Sequence, residues 1–250
     1  MPYIERVRLK IMEIGKLITD FKQYLLNSPF KEEIAKIILF GSHAKGVATS
    51  DSDIDILIVI IDGLRIERPL MDRIYDFILE HNAPLEVVTA GVSELFLSQD
   101  YFLYNVIHHG VEVYSMKKDE IKVFALKDLR NLAEEFLDSA EEVLARNRIR
   151  LAIDAAYNAA ELAAKALILL KQDDLPGSHG GVVSLFGQLY VKTDEIEKEV
   201  GRNLNTALRI RNEARYRPNA LLTAQNALDI LDLARRLIRI IDEKINEYLY

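Results

Sequence analysis

Two aspartates separated by a single residue, Asp53 and Asp55, follow the pair Gly41-Ser42 after ten intervening residues. Because side chains alternate along a strand, both carboxylates are expected to project from the same face. Paired carboxylates, with substrate phosphates completing the octahedron, are a favoured setting for Mg²⁺. Gly41 permits a sharp turn and the close approach of a phosphate because it has no side chain, and Ser42 adds a hydroxyl. The pattern therefore predicts metal-assisted chemistry at a phosphate group.

Each half of this pattern also has an ordinary structural interpretation. A Gly-Ser pair is common in loops, and Asp-x-Asp often marks a solvated strand end. Asp55, however, lies within the apolar run from Ile54 to Ile61. A carboxylate without a partner would be costly to bury there, so the residues themselves favour a metal site.

The spacing resembles the signature of the polymerase-β-type nucleotidyltransferase superfamily, including its kanamycin-type enzymes. The pattern G-S-x-A-x-G-x5-S-D-x-D-x3-V is matched at Gly41, Ser42, Ala44, Gly46, Ser52, Asp53, Asp55 and Val59. The resemblance implies that Asp53 and Asp55 bind Mg²⁺, as a two-ion site. It also implies that Gly41 and Ser42 hold the phosphates of a nucleoside triphosphate, with ATP the expected one.

The family usually adds a third carboxylate from a later strand, and Glu86 occupies such a place. Glu86 is predicted to complete the metal site or to act as general base on the attacking hydroxyl; the alternative is a solvated glutamate at a strand end.

Lys45 is predicted to contact a phosphate, or else to be an ordinary surface lysine. The implied reaction transfers a nucleoside monophosphate to a hydroxyl acceptor, which stays open among a protein tyrosine, a small molecule and an RNA end.

The elements that must position these residues predict a first domain over residues 1–117. Apolar periodicity predicts helices at about 4–26, 68–80 and 95–109, and strands at about 37–40, 54–61, 85–89 and 111–114. Strands and helices mixed in this way predict an α/β or α+β domain with a small mixed sheet.

Residues 118–250 predict a second domain, an all-α bundle. Its helices are expected at about 119–147, 149–172, 182–190, 194–216 and 219–248, with Thr193-Asp194-Glu195 as a helix start. This half resembles the HEPN domains, through the alanine-rich segment 151–167, the loop 178–181 and the segment 211–216. The resemblance implies helix-mediated pairing into a homodimer.

Five residues of the helical half are predicted to form a second site, namely Arg211, Asn212, Arg215, Tyr216 and His179. Arg211 and Arg215 are i,i+4 neighbours on one helix face. They suit either an RNA or phosphate patch or a helix end stabilised by its cations. His179 lines the site from another element, or is an ordinary loop histidine or helix cap.

The resemblance to HEPN proteins implies two roles for this site. Many HEPN proteins look like metal-independent RNases with an Arg-x4–6-His motif, but no histidine follows Arg211 in range, so cleavage through that motif is not expected. In such pairs the nucleotidyltransferase can modify a tyrosine of its HEPN partner. Tyr216 is therefore a candidate AMP acceptor, although Pro218 stands where the motif places that tyrosine.

Composition limits the remaining choices. The formal net charge is -7, so nucleic acid would have to bind at a local patch. Cysteine is absent, which excludes disulfides and thiolate chemistry. No apolar run approaches the roughly 20 residues of a membrane helix, and a cytoplasmic, prokaryotic protein is expected.

Two alternative functions remain open. One is a toxin–antitoxin module whose HEPN half binds or cleaves RNA. The other is a nucleotide-binding module without catalysis, which the intact aspartate pair disfavours.

Overall fold

The computed structural model describes residues 3–49, 52–61, 63–97 and 100–249, without the side chains of 3–12, 63–64 and 249. The chain divides into two compact units between Ile121 and Lys122. The described strands of the first unit are β1 (Ile34–Phe40), β2 (Ile54–Ile60), β3 (Leu85–Gly91) and β4 (Val111–Ser115). Its helices are α1 (Tyr3–Leu26), α2 (Gly41–Ala44), α3 (Gly63–His81), α4 (Glu94–Leu97) and α5 (Tyr101–His109).

The four strands form one mixed sheet in the order β3-β2-β1-β4. β2 pairs with β3 in parallel, and β1 pairs with both β2 and β4 in antiparallel fashion. The predicted α/β domain with a small mixed sheet is therefore confirmed. The Gly41 turn lies in the connection between the antiparallel strands β1 and β2. The end of β1 and the start of β2 are therefore neighbours.

The two faces of the sheet have different covers. Ile54, Ile56, Ile58 and Ile60 alternate along β2 and belong to the apolar core beneath α1 and α3. Side chains between them, beginning with Asp55, project to the other face, since successive residues of a strand point to opposite sides. On that second face Phe40 packs edge-on against Phe102 of α5, with ring centroids 5.4 Å apart.

Helices are the regular secondary structure of the second unit's described residues, and turns and short loops connect them. Its helices are α6 (Lys118–Ala145, which begins in the first unit), α7 (Ile149–Lys171), α8 (His179–Phe186), α9 (Lys198–Tyr216) and α10 (Ala224–Leu249). α7 is central and packs against α8, α9 and α10. Its small side chains permit that close approach, because seven alanines are completely buried: Ala152, Ala156, Ala159, Ala160, Ala163, Ala164 and Ala166. The predicted all-α bundle is confirmed.

Several predicted helix boundaries are wrong, and two of the errors have a local cause. α9 begins at Lys198, because Asp194 has a left-handed backbone with φ of 57° and lies in a turn. The single helix expected over 95–109 is two helices, α4 and α5. Asp100 separates them with an extended backbone, and its side chain accepts a hydrogen bond from the backbone N–H of Phe102, which starts α5 anew. None of the described helices has the length and apolarity needed to cross a membrane.

Candidate active site

The turn after β1 places two glycines in the left-handed region of backbone conformation. Gly41 has φ of 68° and Gly46 has φ of 70°. Between them lies a single helical turn, α2, and the backbone N–H of Val47 donates to the carbonyl of Ser42 at 3.1 Å. Only glycine adopts this conformation without strain, which explains why both positions of the pattern are glycine.

Gly41 also lies against the carboxylate of Asp55. A β-carbon built on Gly41 would fall 1.9 Å from Oδ2 of Asp55, closer than any two such atoms can approach. The missing side chain is therefore what lets the carboxylate sit directly over the turn.

The register of the sheet aligns three residues in one row. Phe40 is opposite Asp55, and Asp55 is beside Glu86 in the parallel pair. Paired residues on neighbouring strands share a face and lie about 4.8 Å apart along the sheet. Asp53 immediately precedes β2 and is expected on the same face, two residues from Asp55. Asp55 and Glu86 are thus neighbours on one face near the same end of the sheet, and Asp53 lies just before them at the start of β2.

Within the part of the chain that the structure describes, these carboxylates have no counter-ion. Asp55 is half-buried, while Asp53 and Glu86 are exposed. Among the described residues, none forms a hydrogen bond or an ion pair with the side chain of Asp53, Asp55 or Glu86. By contrast, Lys36 and Glu112, elsewhere on this sheet, form an ion pair with each other. A half-buried carboxylate without a partner is costly, so Asp55 is suited to a cation supplied from solution.

The donor set suits Mg²⁺. Within the described part of the chain, no three histidine, aspartate or glutamate side chains are gathered into a ready metal cage. Mg²⁺ does not need one, because it is usually held by one or two carboxylates together with substrate phosphates and water. Asp53 and Asp55 offer that set of hard oxygen ligands beside the turn.

The remaining residues of the turn are ordered by local hydrogen bonds. Nε2 of His43 lies 3.3 Å from the carbonyl oxygen of Ser52. Ser52 Oγ accepts from the backbone N–H of Thr49 at 2.9 Å. These contacts tie the turn to the residue preceding Asp53. Lys45 is exposed at the end of the turn, beside Gly41.

In the helical unit, most of the predicted second site also comes together. Arg211 is buried and donates from Nε to Oδ1 of Asp154 at 3.1 Å, and Arg215 reaches the same oxygen at 3.5 Å. Arg211 also donates to Oδ1 of Asn212 at 3.3 Å. Tyr216 is separate, at the end of α9, with 68% of its surface exposed.

A buried glutamate joins His179 to this cluster. Nδ1 of His179 lies 2.6 Å from Oε1 of Glu161, and the hydroxyl of Tyr157 donates to the same oxygen at 3.3 Å. The Tyr157 ring lies between the two halves of the site: its centroid is 5.7 Å from the His179 ring and 5.7 Å from Cζ of Arg211. Burial first, and the Glu161 carboxylate second, raise the pKa of Tyr157, so its hydroxyl stays protonated as a donor.

Sequence reasoning missed three residues of this cluster. Asp154, Tyr157 and Glu161 lie on the alanine-rich α7. Their spacing at i, i+3 and i+7 puts them on one helix face. A polar row of that spacing in an otherwise apolar helix is the signal that could have identified them.

Models of known protein families match both predicted domains of the chain. The model of the nucleotidyltransferase domain matches residues 16–87, which include the Gly41 turn and all three carboxylates. The model of the HEPN domain matches residues 126–245, which include the cluster around Tyr157. Fold and site define the class of the protein, which is a nucleotidyltransferase.

Individual proteins of Methanocaldococcus jannaschii are similar to parts of the chain. A protein of Methanocaldococcus jannaschii provisionally named as a toxin is 33% identical over 103 residues, covering 38% of this chain and 76% of the relative. A second protein of that organism, provisionally named as a protein adenylyltransferase, is 26% identical over 102 residues, covering 41% of this chain and 100% of the relative. The chain therefore contains a nucleotidyltransferase domain and a HEPN domain.

A solved structure of spectinomycin adenyltransferase from Enterococcus faecialis with ATP and spectinomycin is also similar. The alignment covers 88% of this chain and 98% of that one, with 14% identity and a TM-score of 0.31.

The contact between Gly41 and Asp55 can be tested against a matched glycine. Gly41→Ala and Gly46→Ala both force alanine into a left-handed backbone, which costs about 1–2 kcal/mol. Only Gly41→Ala also drives a methyl group into the Asp55 carboxylate, since nothing lies within 4 Å of a β-carbon at Gly46. Urea unfolding should show a loss for Gly41→Ala that exceeds that of Gly46→Ala by about 1 kcal/mol or more. Equal losses would contradict the described approach.

Proposed function

We propose that the chain transfers AMP from ATP to a protein hydroxyl, with Mg²⁺ held by Asp53 and Asp55. The observation that carries this proposal is the position of the Asp55 carboxylate, between the α-carbon of Gly41 and the neighbouring Glu86. A glycine turn open to a phosphate and an unpaired carboxylate beside it are the two parts that nucleotidyl transfer requires.

Each residue then has a defined task. Gly41 and Ser42 receive the triphosphate, and Lys45 at the end of the turn offers a cation to its oxygens. When bound, Mg²⁺ would neutralise the triphosphate and the leaving pyrophosphate. Glu86 accepts the proton of the acceptor hydroxyl. The acceptor oxygen forms a bond to the α-phosphorus, the bond from that phosphorus to the bridging oxygen breaks, and pyrophosphate leaves with the electron pair.

A tyrosine is the favoured acceptor. One relative is provisionally named as a protein adenylyltransferase, which supports a protein acceptor. Tyr216 is the candidate within this chain, because it ends α9 and 68% of its surface is exposed. A small molecule or an RNA end as acceptor would appear as a different labelled product.

Transfer can be measured with α-labelled ATP and Mg²⁺ in the wild type, Asp53→Ala and Asp55→Ala. Loss of either ligand should reduce labelling about a thousandfold, because a bound metal contributes several kcal/mol to such a transition state. The matched control is Asp76→Ala, a carboxylate on α3 away from the turn, which should label normally. Labelling that survives in both variants would contradict the metal site.

The acceptor can be identified in the same reaction. Tyr216→Phe removes only the exposed hydroxyl, and self-labelling should then fall about tenfold or more if that oxygen is the main acceptor. Tyr75→Phe is the matched control, since Tyr75 is similarly exposed at 59%. Labelling unchanged in Tyr216→Phe would move the acceptor to another residue or molecule, and peptide mass spectrometry would locate it.

The hydrogen bond between His179 and Glu161 favours a second candidate function, RNA cleavage by the helical half. Donation from Nδ1 to a buried carboxylate leaves Nε2 of a partly exposed histidine as a proton acceptor. Arg215 forms an ion pair with Asp154, and half of its side chain is exposed. It therefore offers a cation to the phosphodiester of an RNA. Another relative is provisionally named as a toxin, which agrees with this role. His179 would replace the histidine that the Arg-x4–6-His motif lacks.

This second function predicts RNA cleavage in the presence of EDTA, where metal-dependent transfer is silent. His179→Ala should reduce cleavage of a labelled RNA by about a hundredfold, the usual contribution of general acid–base catalysis. His108→Ala, on α5 of the other unit, is the control and should cleave normally. No cleavage by the wild type, or normal cleavage by His179→Ala, would exclude the role.

A further inference from the structure

A cavity of 540 Å³ opens beside the Gly41 turn. It lies between the end of β1, the turn and α5, and its walls are mainly apolar. Gly41 and Lys45, which are assigned to the phosphates, form part of its lining. A volume of this size falls within the range of small-ligand sites, and the cavity is continuous with the place where the triphosphate is expected.

The strand order separates this cavity from the acceptor. Glu86 lies on β3, on one side of Asp55, whereas Phe40 and the cavity lie on β1, on its other side. An acceptor hydroxyl that gives its proton to Glu86 must approach from the β3 side. The cavity on the β1 side is therefore left for the nucleoside of the triphosphate.

The lining has the chemistry of a nucleobase site. Phe102 is 44% exposed and is held edge-on by Phe40, and Tyr101 is 78% exposed. Rings held open to solvent in this way offer faces on which a base can stack. Asn105 donates from Nδ2 to the carbonyl of Tyr101 at 2.7 Å. Its Oδ1 is therefore oriented as a hydrogen-bond acceptor and suits an exocyclic amine.

We propose that this cavity binds the base of the nucleoside triphosphate. Adenine stacks on Phe102, and its exocyclic amine donates a hydrogen bond to Oδ1 of Asn105. The inference rests on the proposed nucleotidyl transfer and adds to it the residues that select the nucleotide. Base stacking on an aromatic ring contributes affinity regardless of the phosphates, whereas the Gly41 turn and the metal bind only the phosphates. The two contributions can therefore be measured separately.

The test is equilibrium binding of three ligands to the full chain with Mg²⁺: ATP, inosine triphosphate, which lacks the amine, and inorganic tripolyphosphate, which lacks the nucleoside. Phe102→Ala should weaken ATP binding about tenfold and leave tripolyphosphate binding unchanged. Asn105→Ala should lower ATP to the affinity of inosine triphosphate. Tyr104→Ala, on the same helix but outside the cavity, should bind all three ligands as the wild type does.

The outcomes separate the inference from the function on which it rests. ATP binding of wild-type strength in both Phe102→Ala and Asn105→Ala would overturn the base site and leave nucleotidyl transfer standing. Equal loss of ATP and tripolyphosphate in these variants would also overturn it, because the cavity would then act on the phosphates. A wild type that binds neither ligand would overturn the proposed function and the base site together.

Discussion

The approach of the Asp55 carboxylate to the α-carbon of Gly41 is the constraint on which the first unit depends. It requires glycine at the end of β1, a left-handed turn after it, and a register that sets Phe40 opposite Asp55. The same register then sets Glu86 beside Asp55. Burial of β2 under α1 and α3 holds that register, because a slip by one residue would turn every isoleucine of the strand away from the core.

The helical unit depends on a comparable constraint, the burial of polar groups. Glu161 and Arg211 are nearly inaccessible, and each is satisfied by several partners arranged around Tyr157. Removing one partner from such a network leaves a buried charge, which costs more than the pair contributes when intact. Alanines on α7 let neighbouring helices approach closely enough to close the network. Packing and polar satisfaction are thus solved by the same helix.

The residues of the first candidate site can be related to one another from the sequence because they lie close together along the chain. Gly41, Asp53 and Asp55 lie within fifteen residues, and strand alternation alone relates the aspartates. Glu86 could be placed only by resemblance, since its pairing with Asp55 depends on strand order.

In the helical half the contacts join distant segments. Spacing along α7 could indicate that Asp154 and Glu161 share a face, but not that Arg211 and His179 meet them. The predicted start of α9 is wrong because Asp194 has the acidic character of a helix start but a left-handed backbone.

The most direct test of the central claim compares ATP labelled at the α-phosphate with ATP labelled at the γ-phosphate, in parallel reactions of the wild type with Mg²⁺. Nucleotidyl transfer predicts that the α label moves to the acceptor and that the γ label is released as pyrophosphate. Transfer of the γ label, or release of free phosphate with no transfer, would contradict it.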